Sequence, residues 1–585
     1  MHSVTVPFAD NMASTNDDAW EQAEGVPSLS DPFIQKYLSG RDALVQEEKK
    51  QRSDHLFREN LSPMAAEACA IVSQIRFEEQ QTLWTKEYED SLASNLVDVF
   101  PGMMFNLAKE RMEKSKLWKI VQKMPKGALL HCHLEAMVDL DWALEEAFVT
   151  EGVCLRSEGP LSGAEARLKT KFSFTFSKTN VKSDVSIWNN DYAAETHVPL
   201  VAAADTFPDG GRKGFVEWIR SRTSITPEEH LSHHEGPNEA WRKFLSCFPI
   251  LGSLIYYEPI FRKFIRKMCK TLLDDGTFYV DMRAAFYTPY RCLGKEEWDP
   301  DFFNLLEHME DEIEKFKASE EGKDFWGARM IWTTVRAFDN RTIVNAMNQC
   351  IEMKLEFPEL IAGYDLVGHE DPGRPLIDLS PLLFYFRKKC AESGVDIPFF
   401  FHAGETLGDG TSTDENLFDA ILLGTRRIGH GFSLYKHPLL ISMVKERRIL
   451  IESCPVSNEV LRLCGSIMSH PLPALLARGV PCSLCNDDPT ILGQGVSGMS
   501  HDFWQALQGW ENLGLEGLGS LAENSVRWAS FEDYTQQEWV QDIKDGSMGK
   551  GVRAKRLKEW TTRWERFCAW VVDEYGVDEN TNPDE

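Results

Sequence analysis

Three short stretches of this chain hold side chains that can do chemistry together. The run GALLHCH ends in His131-Cys132-His133, and alternate residues of a strand face the same way, so both imidazoles can reach one metal ion. Taken alone, an H-x-H pair is more often structural than functional. His402 in PFFFHAGE and Asp487 in the Asn486-Asp487-Asp488-Pro489 turn complete a set. Three histidines and one aspartate, each ending an apolar run, suit one borderline-soft divalent ion such as zinc, with a position left for water. An ion so held lowers the pKa of its water from about 15.7 towards 7 and supplies a nucleophile at neutral pH.

Further residues fall where such chemistry needs them. Glu405 follows a ligand by three positions and can be held beside the metal as an acid. His430, in RIGHG, ends another run and can orient the nucleophile or take its proton. Asp488 adjoins a presumed ligand and is free to hydrogen-bond a substrate. Gly368, in DLVGHED, lets a backbone N–H approach a flat ring closely. Singly, each has an ordinary alternative: a solvated carboxylate, a core histidine, a turn-capping aspartate, a loop glycine. Their joint placement at run ends argues against all of those at once.

The elements that must position them are legible as eight apolar runs bounded by turn residues. They are GALLHCH at 127, TFYVDMRAAF at 277, ARMIWTTVR at 328, LIAGYDLVG at 360, PFFFHAGE at 398, RRIGHGFSL at 426, RILIESCPVSN at 448 and VPCSLCNDDP at 480. Helix-like segments separate most of them, which predicts an α/β fold, a (β/α)8 barrel of the TIM type with its site at the C-terminal face. The first gap is anomalous at about 140 residues and predicts an inserted subdomain after the first strand, at about 145–245. The expected organisation is a disordered leader over 1–30, a helical region over 31–118, a catalytic barrel over 119–530 and a helical tail over 531–585.

Composition narrows the function. With 43% hydrophobic and 11% aromatic residues over 585 positions, the chain can bury a large core. A net charge of −28 leaves no basic field for a phosphate backbone, so no nucleic-acid partner is expected. No apolar run approaches the roughly 18 residues of a membrane span, and the acidic, polar first 30 residues show no secretory signal. Thirteen scattered cysteines read as reduced thiols, and the expected location is cytoplasmic.

As a set, MPKGALLHCHLEAMVDLDW, LIAGYDLVGHED, FFFHAGET, NLFDAILLGTRRIGHGFSLYKHP, IESCPVSNEVL and NDDP resemble the adenosine deaminase family, and within it the adenosine deaminase-related growth factor subfamily. The likeness runs from about Asp31 to Trp570 and is strongest from Leu360 to Pro489. It implies hydrolytic deamination of adenosine, and of 2'-deoxyadenosine, with zinc on His131, His133, His402 and Asp487. It further implies that Glu405 protonates the purine N1, His430 acts on the water, Asp488 binds the base and the Gly368 amide meets N3. Glu135 falls where smaller members carry an aspartate reaching the ribose, and Trp241 resembles the subfamily's inserted-domain tryptophan near the sugar. The subfamily's dimer-forming parts imply a homodimer, and its secreted members make secretion the alternative location.

The sequence departs from the subfamily in three places. Leu134 stands where an aspartate is usual, Val335 where animal relatives have histidine, and the insertion offers only Cys154 and Cys247 for a disulfide. Other readings of the barrel are deamination of AMP, adenine or a modified adenosine, or use as a growth-factor-like scaffold. A cytidine-type zinc deaminase would need Pro481-Cys482-Ser483-Leu484-Cys485 to meet His233-His234-Glu235, which lie roughly 250 residues apart where that fold keeps its motifs close.

Overall fold

A computed structural model describes residues 24–85, 87, 105–179, 181–182, 184–231 and 236–576. Most of the expected leader, and the His233-His234-Glu235 motif, lie outside the described residues. The strands in chain order are β1 Gly127–Leu129, β2 Val153–Ser157, β3 Phe172–Phe176, β4 Val198–Pro199, β5 Thr277–Ala285, β6 Gly327–Val335, β7 Ile361–Val367, β8 His402–Ala403, β9 Arg427–His430, β10 Leu450–Ser453 and β11 Cys482–Leu484.

Eight of these form two parallel half-sheets, β1-β5-β6-β7 and β8-β9-β10-β11, with helices following the strands. Two seams join the halves into a barrel. At one, Tyr364 on β7 pairs with the chain just before β8, donating to Pro398 and accepting from the Phe400 amide. At the other, Asp487 lies between His131 and His133: its amide donates to the His131 carbonyl and its own carbonyl accepts from the His133 amide, both at 3.1 Å. The barrel is therefore closed by the backbone of residues predicted to hold the metal. Every residue of β5 and β7 is buried, as strands covered on both faces must be.

The gap after β1 contains a separate antiparallel sheet of order β3-β2-β4. Trp188, Phe207, Phe215 and Trp218 pack into an aromatic cluster beside it. The helix Gly236–Ile255 brings the chain back and covers the mouth of the barrel.

On the N-terminal side, the helix Pro63–Thr82 starts at Ser62, whose hydroxyl accepts from the Ala65 amide, and proline fits its first turn. It packs Ala65, Ala68, Val72 and Ile75 into the core and lies against the long helix Val552–Tyr575. The preceding helix, Pro32–Lys49, buries none of its residues. Among the described residues, no helix is long and apolar enough to cross a membrane.

Candidate active site

The ligand atoms of His131, His133, His402 and Asp487 all lie within 4.8 Å of one another, and all four residues are buried. His131 and His133 follow β1, His402 begins β8, and Asp487 follows β11, so three strand ends converge on one point. Asp487 Oδ1 lies 3.2 Å from His131 Nε2 and 3.3 Å from His133 Nε2.

What aims the rings is a layer of buried charge just below them. Nδ1 of His131 is 2.9 Å from Glu452, and Nδ1 of His402 is 2.6 Å from Asp365. Arg283 donates to Asp365 at 2.8 Å and to Glu452 at 2.7 Å; Arg427 donates to Glu452 and, at 2.9 Å, to Asp281. Burial pushes His402 down to about 3, so the neutral ring gives its Nδ1–H to Asp365 and turns a lone pair on Nε2 towards the cluster. Against the pull of burial, His402 and Arg283 hold Asp365 well below the ordinary carboxylate range. Nε2 of His131 is buried without a hydrogen-bond partner. Converging ring nitrogens, an orphaned Nε2 and carboxylates behind the rings fit a four-donor divalent metal centre.

A second grouping, His131, His430, Cys454 and Asp487, shares two of these residues. Burial pushes the Cys454 thiol well above its ordinary range. Cys482 and Cys485, also buried, belong to no such cluster among the described residues.

Except for His131, every predicted site residue lines one cavity of about 250 Å³: His133, Glu135, Trp241, Gly368, His402, Glu405, His430, Asp487 and Asp488. Most of its remaining lining is apolar, Phe244, Phe248, Val335 and Phe338 among it, with Tyr287 adding a hydroxyl-bearing ring. Glu405 Oε1 is buried without a hydrogen-bond partner; burial, then the Asp487 and Glu370 carboxylates, push this carboxyl well above its ordinary range. Burial and the neighbouring Asp487 do the same to Asp488, whose two oxygens are likewise unpartnered. Such a pair presents buried acids to whatever enters.

Around them, Glu135 accepts from the Tyr256 hydroxyl at 2.7 Å, and burial pushes it up to about 7. Trp241 stacks on His369 at 4.4 Å with an interplanar angle of 5°, fixing one wall. Gly368 has φ 106°, a conformation only glycine adopts readily, which turns its peptide at the cavity edge. Val335 lines the cavity, and Cys154 and Cys247 are both free thiols.

The sequence does not announce the layer that holds the candidate ligands: Asp281, Arg283, Asp365, Arg427 and Glu452. Each is a charge inside an otherwise apolar strand, and that mismatch is the signal that finds them. Nor does the sequence announce Ser457, whose hydroxyl donates to Asp487 Oδ2 at 2.7 Å. Gly429 goes unannounced too: a Cβ there would come within 2.8 Å of the His131 ring. His430 and Asp487 carry positive φ, 61° and 56°, so the backbone is strained at two of the key positions.

The family model for adenosine deaminase matches residues 223–545. Adenosine deaminase 2 of Sus scrofa is 32% identical over 478 residues, 80% of this chain and 84% of the relative. Adenosine deaminases of Lutzomyia longipalpis and Aedes albopictus are 32% and 28% identical; the first covers 78% of this chain and 80% of the relative, the second 94% and 92%.

Proposed function

Because the chain belongs to the adenosine deaminase family, we propose that it hydrolyses adenosine, and 2'-deoxyadenosine with it, using one zinc ion on His131, His133, His402 and Asp487. The balanced reaction is nucleoside plus water to the inosine form plus ammonia. When bound, zinc supplies the Lewis acidity that makes water a nucleophile near neutral pH.

The chain's own residues supply the rest. Glu405, kept protonated by its surroundings, hands a proton to ring N1 as water adds at C6, so charge does not build on the purine. Asp488 holds the base, the Gly368 amide meets N3, and His430 orients the attacking oxygen. Glu135 and Trp241 face the sugar. The aromatic wall of Phe244, Phe248 and Phe338 excludes solvent and stacks the ring.

The observation that carries this reading is the clustering of four metal donors, three of which line one cavity together with the buried, unpartnered Glu405. Neither lysine nor arginine is among the described residues lining the cavity, and a phosphate would meet Glu135 and Asp488. That favours a nucleoside over AMP. Ammonia release from purified protein offered adenosine, 2'-deoxyadenosine, AMP and adenine tests it; turnover of AMP or adenine without adenosine overturns the substrate. Zinc near zero per chain, with activity intact after chelation, overturns the metal.

Two further readings belong with it. The exposed Phe33, Tyr37 and Leu44 on the unburied helix Pro32–Lys49 support a homodimer, and light scattering that returns a monomer at micromolar concentration overturns it. All thirteen cysteines are free, which supports residence in a reducing cell interior; intact native protein found mainly outside cells overturns that.

A further inference from the structure

His430 is held from behind by a chain of hydrogen bonds whose direction is set at its far end. The Leu472 amide donates to His470 Nδ1 at 3.1 Å, and a backbone N–H has no other role than donor. Burial pushes His470 down to about 3, so the ring is neutral and its proton sits on Nε2. That nitrogen lies 3.0 Å from Asn458 Oδ1 and donates to it. With the amide oxygen so engaged, Asn458 turns its Nδ2 towards His430 Nδ1, 3.2 Å away, and donates. Nδ1 of His430 is then an acceptor, and the proton of the neutral ring is on Nε2, which faces Asp487 Oδ2 at 3.6 Å. Glu405 Oε1, the other neighbour of Nδ1, stands off at 3.5 Å without a hydrogen bond.

We propose that Asn458, oriented by His470, is a positioning residue that locks His430 in the Nε2–H tautomer, so that His430 meets the reacting oxygen as a hydrogen-bond donor and not as the base that deprotonates it. The inference deepens the reading of His430 given above and rests on it. It divides the two roles the sequence left open for that histidine. Reversing any link would reverse those after it: an Asn458 side chain turned end for end would present its oxygen to Nδ1 and move the ring proton from the Asp487 side of the ring to the Asn458 side.

Histidine nitrogen NMR on metal-loaded, full-length protein carrying ¹⁵N-imidazole histidine reads the tautomer directly, with His430→Gln assigning the signal. The expected result is a pyridine-type Nδ1 and a protonated, pyrrole-type Nε2; a protonated Nδ1 overturns the proposal. This readout does not involve adenosine, so failure of the substrate reading and failure of this one are separable. Asn458→Asp places an acceptor against Nδ1. It is expected to move the proton there, lower kcat at least about tenfold with KM within about twofold, and displace the pH–kcat profile. His470→Gln, which retains a donor to Asn458, is expected to keep the wild-type tautomer and profile. A switched tautomer in Asn458→Asp with kcat and pH profile unchanged overturns the functional half.

Discussion

Asp365 grips His402 twice: its Oδ2 accepts from the ring Nδ1 at 2.6 Å and its Oδ1 from the backbone amide at 2.9 Å. Ring rotation and tautomer are fixed by one carboxylate, itself pinned by Arg283. Asp365→Asn keeps the shape but surrenders the charge and one of the acceptors. Metal affinity should fall about 10- to 100-fold, read by competition with a chromogenic chelator. Wild-type affinity in that variant would place the burden on Glu452 behind His131 instead.

Glu405→Gln should retain metal and fold while kcat falls by about 10²- to 10⁴-fold, since an amide fills the same space without a proton for N1. His402→Ala is the contrast, losing metal and activity together. A change confined to KM in Glu405→Gln would assign the residue to uniform binding.

Gly429→Ala should weaken metal binding at least about tenfold, because the added methyl meets the His131 ring at 2.8 Å and must push a ligand held by Glu452. Far-ultraviolet circular dichroism should stay unchanged. An alanine variant that binds metal as tightly as wild type would mean that the β9 backbone gives way instead of the ring.

Stability should depend on pH through Glu135. Burial raises this carboxyl from 4.5 to about 7, so its neutral form is the one that suits the fold. The stability it contributes is fully present below about 4.5 and is lost as pH rises through about 7. Relative to wild type, Glu135→Gln should therefore gain in urea midpoint between about pH 5 and about pH 8. A constant difference across that window would show that Glu135 titrates like an exposed glutamate.

Much of the candidate site was legible because barrel chemistry sits at strand ends. His131, His402 and Asp487 each terminate an apolar run, and the eight runs matched eight parallel strands. What holds those residues was not legible. Arg283 and Glu452 are 169 positions apart in sequence, and nothing local announces that they pair; only the closed barrel brings β5 and β10 to face each other across its interior. The direction of the His470–Asn458–His430 relay was hidden for the same reason, since it depends on which atom of each side chain points where.

The seam at which Asp487 lies between His131 and His133 also sets a timetable. At roughly 5–20 residues per second of synthesis, His131 and His133 leave the ribosome on the order of tens of seconds before Asp487. Until Asp487 arrives, β1 has no partner along that edge, and the His131 carbonyl and the His133 amide wait unmatched. Assembly of the candidate metal site thus waits for the last strand of the barrel. A chain that stops short of β11 is left as an open sheet, with the edge of β1 exposed as a template for pairing with other chains.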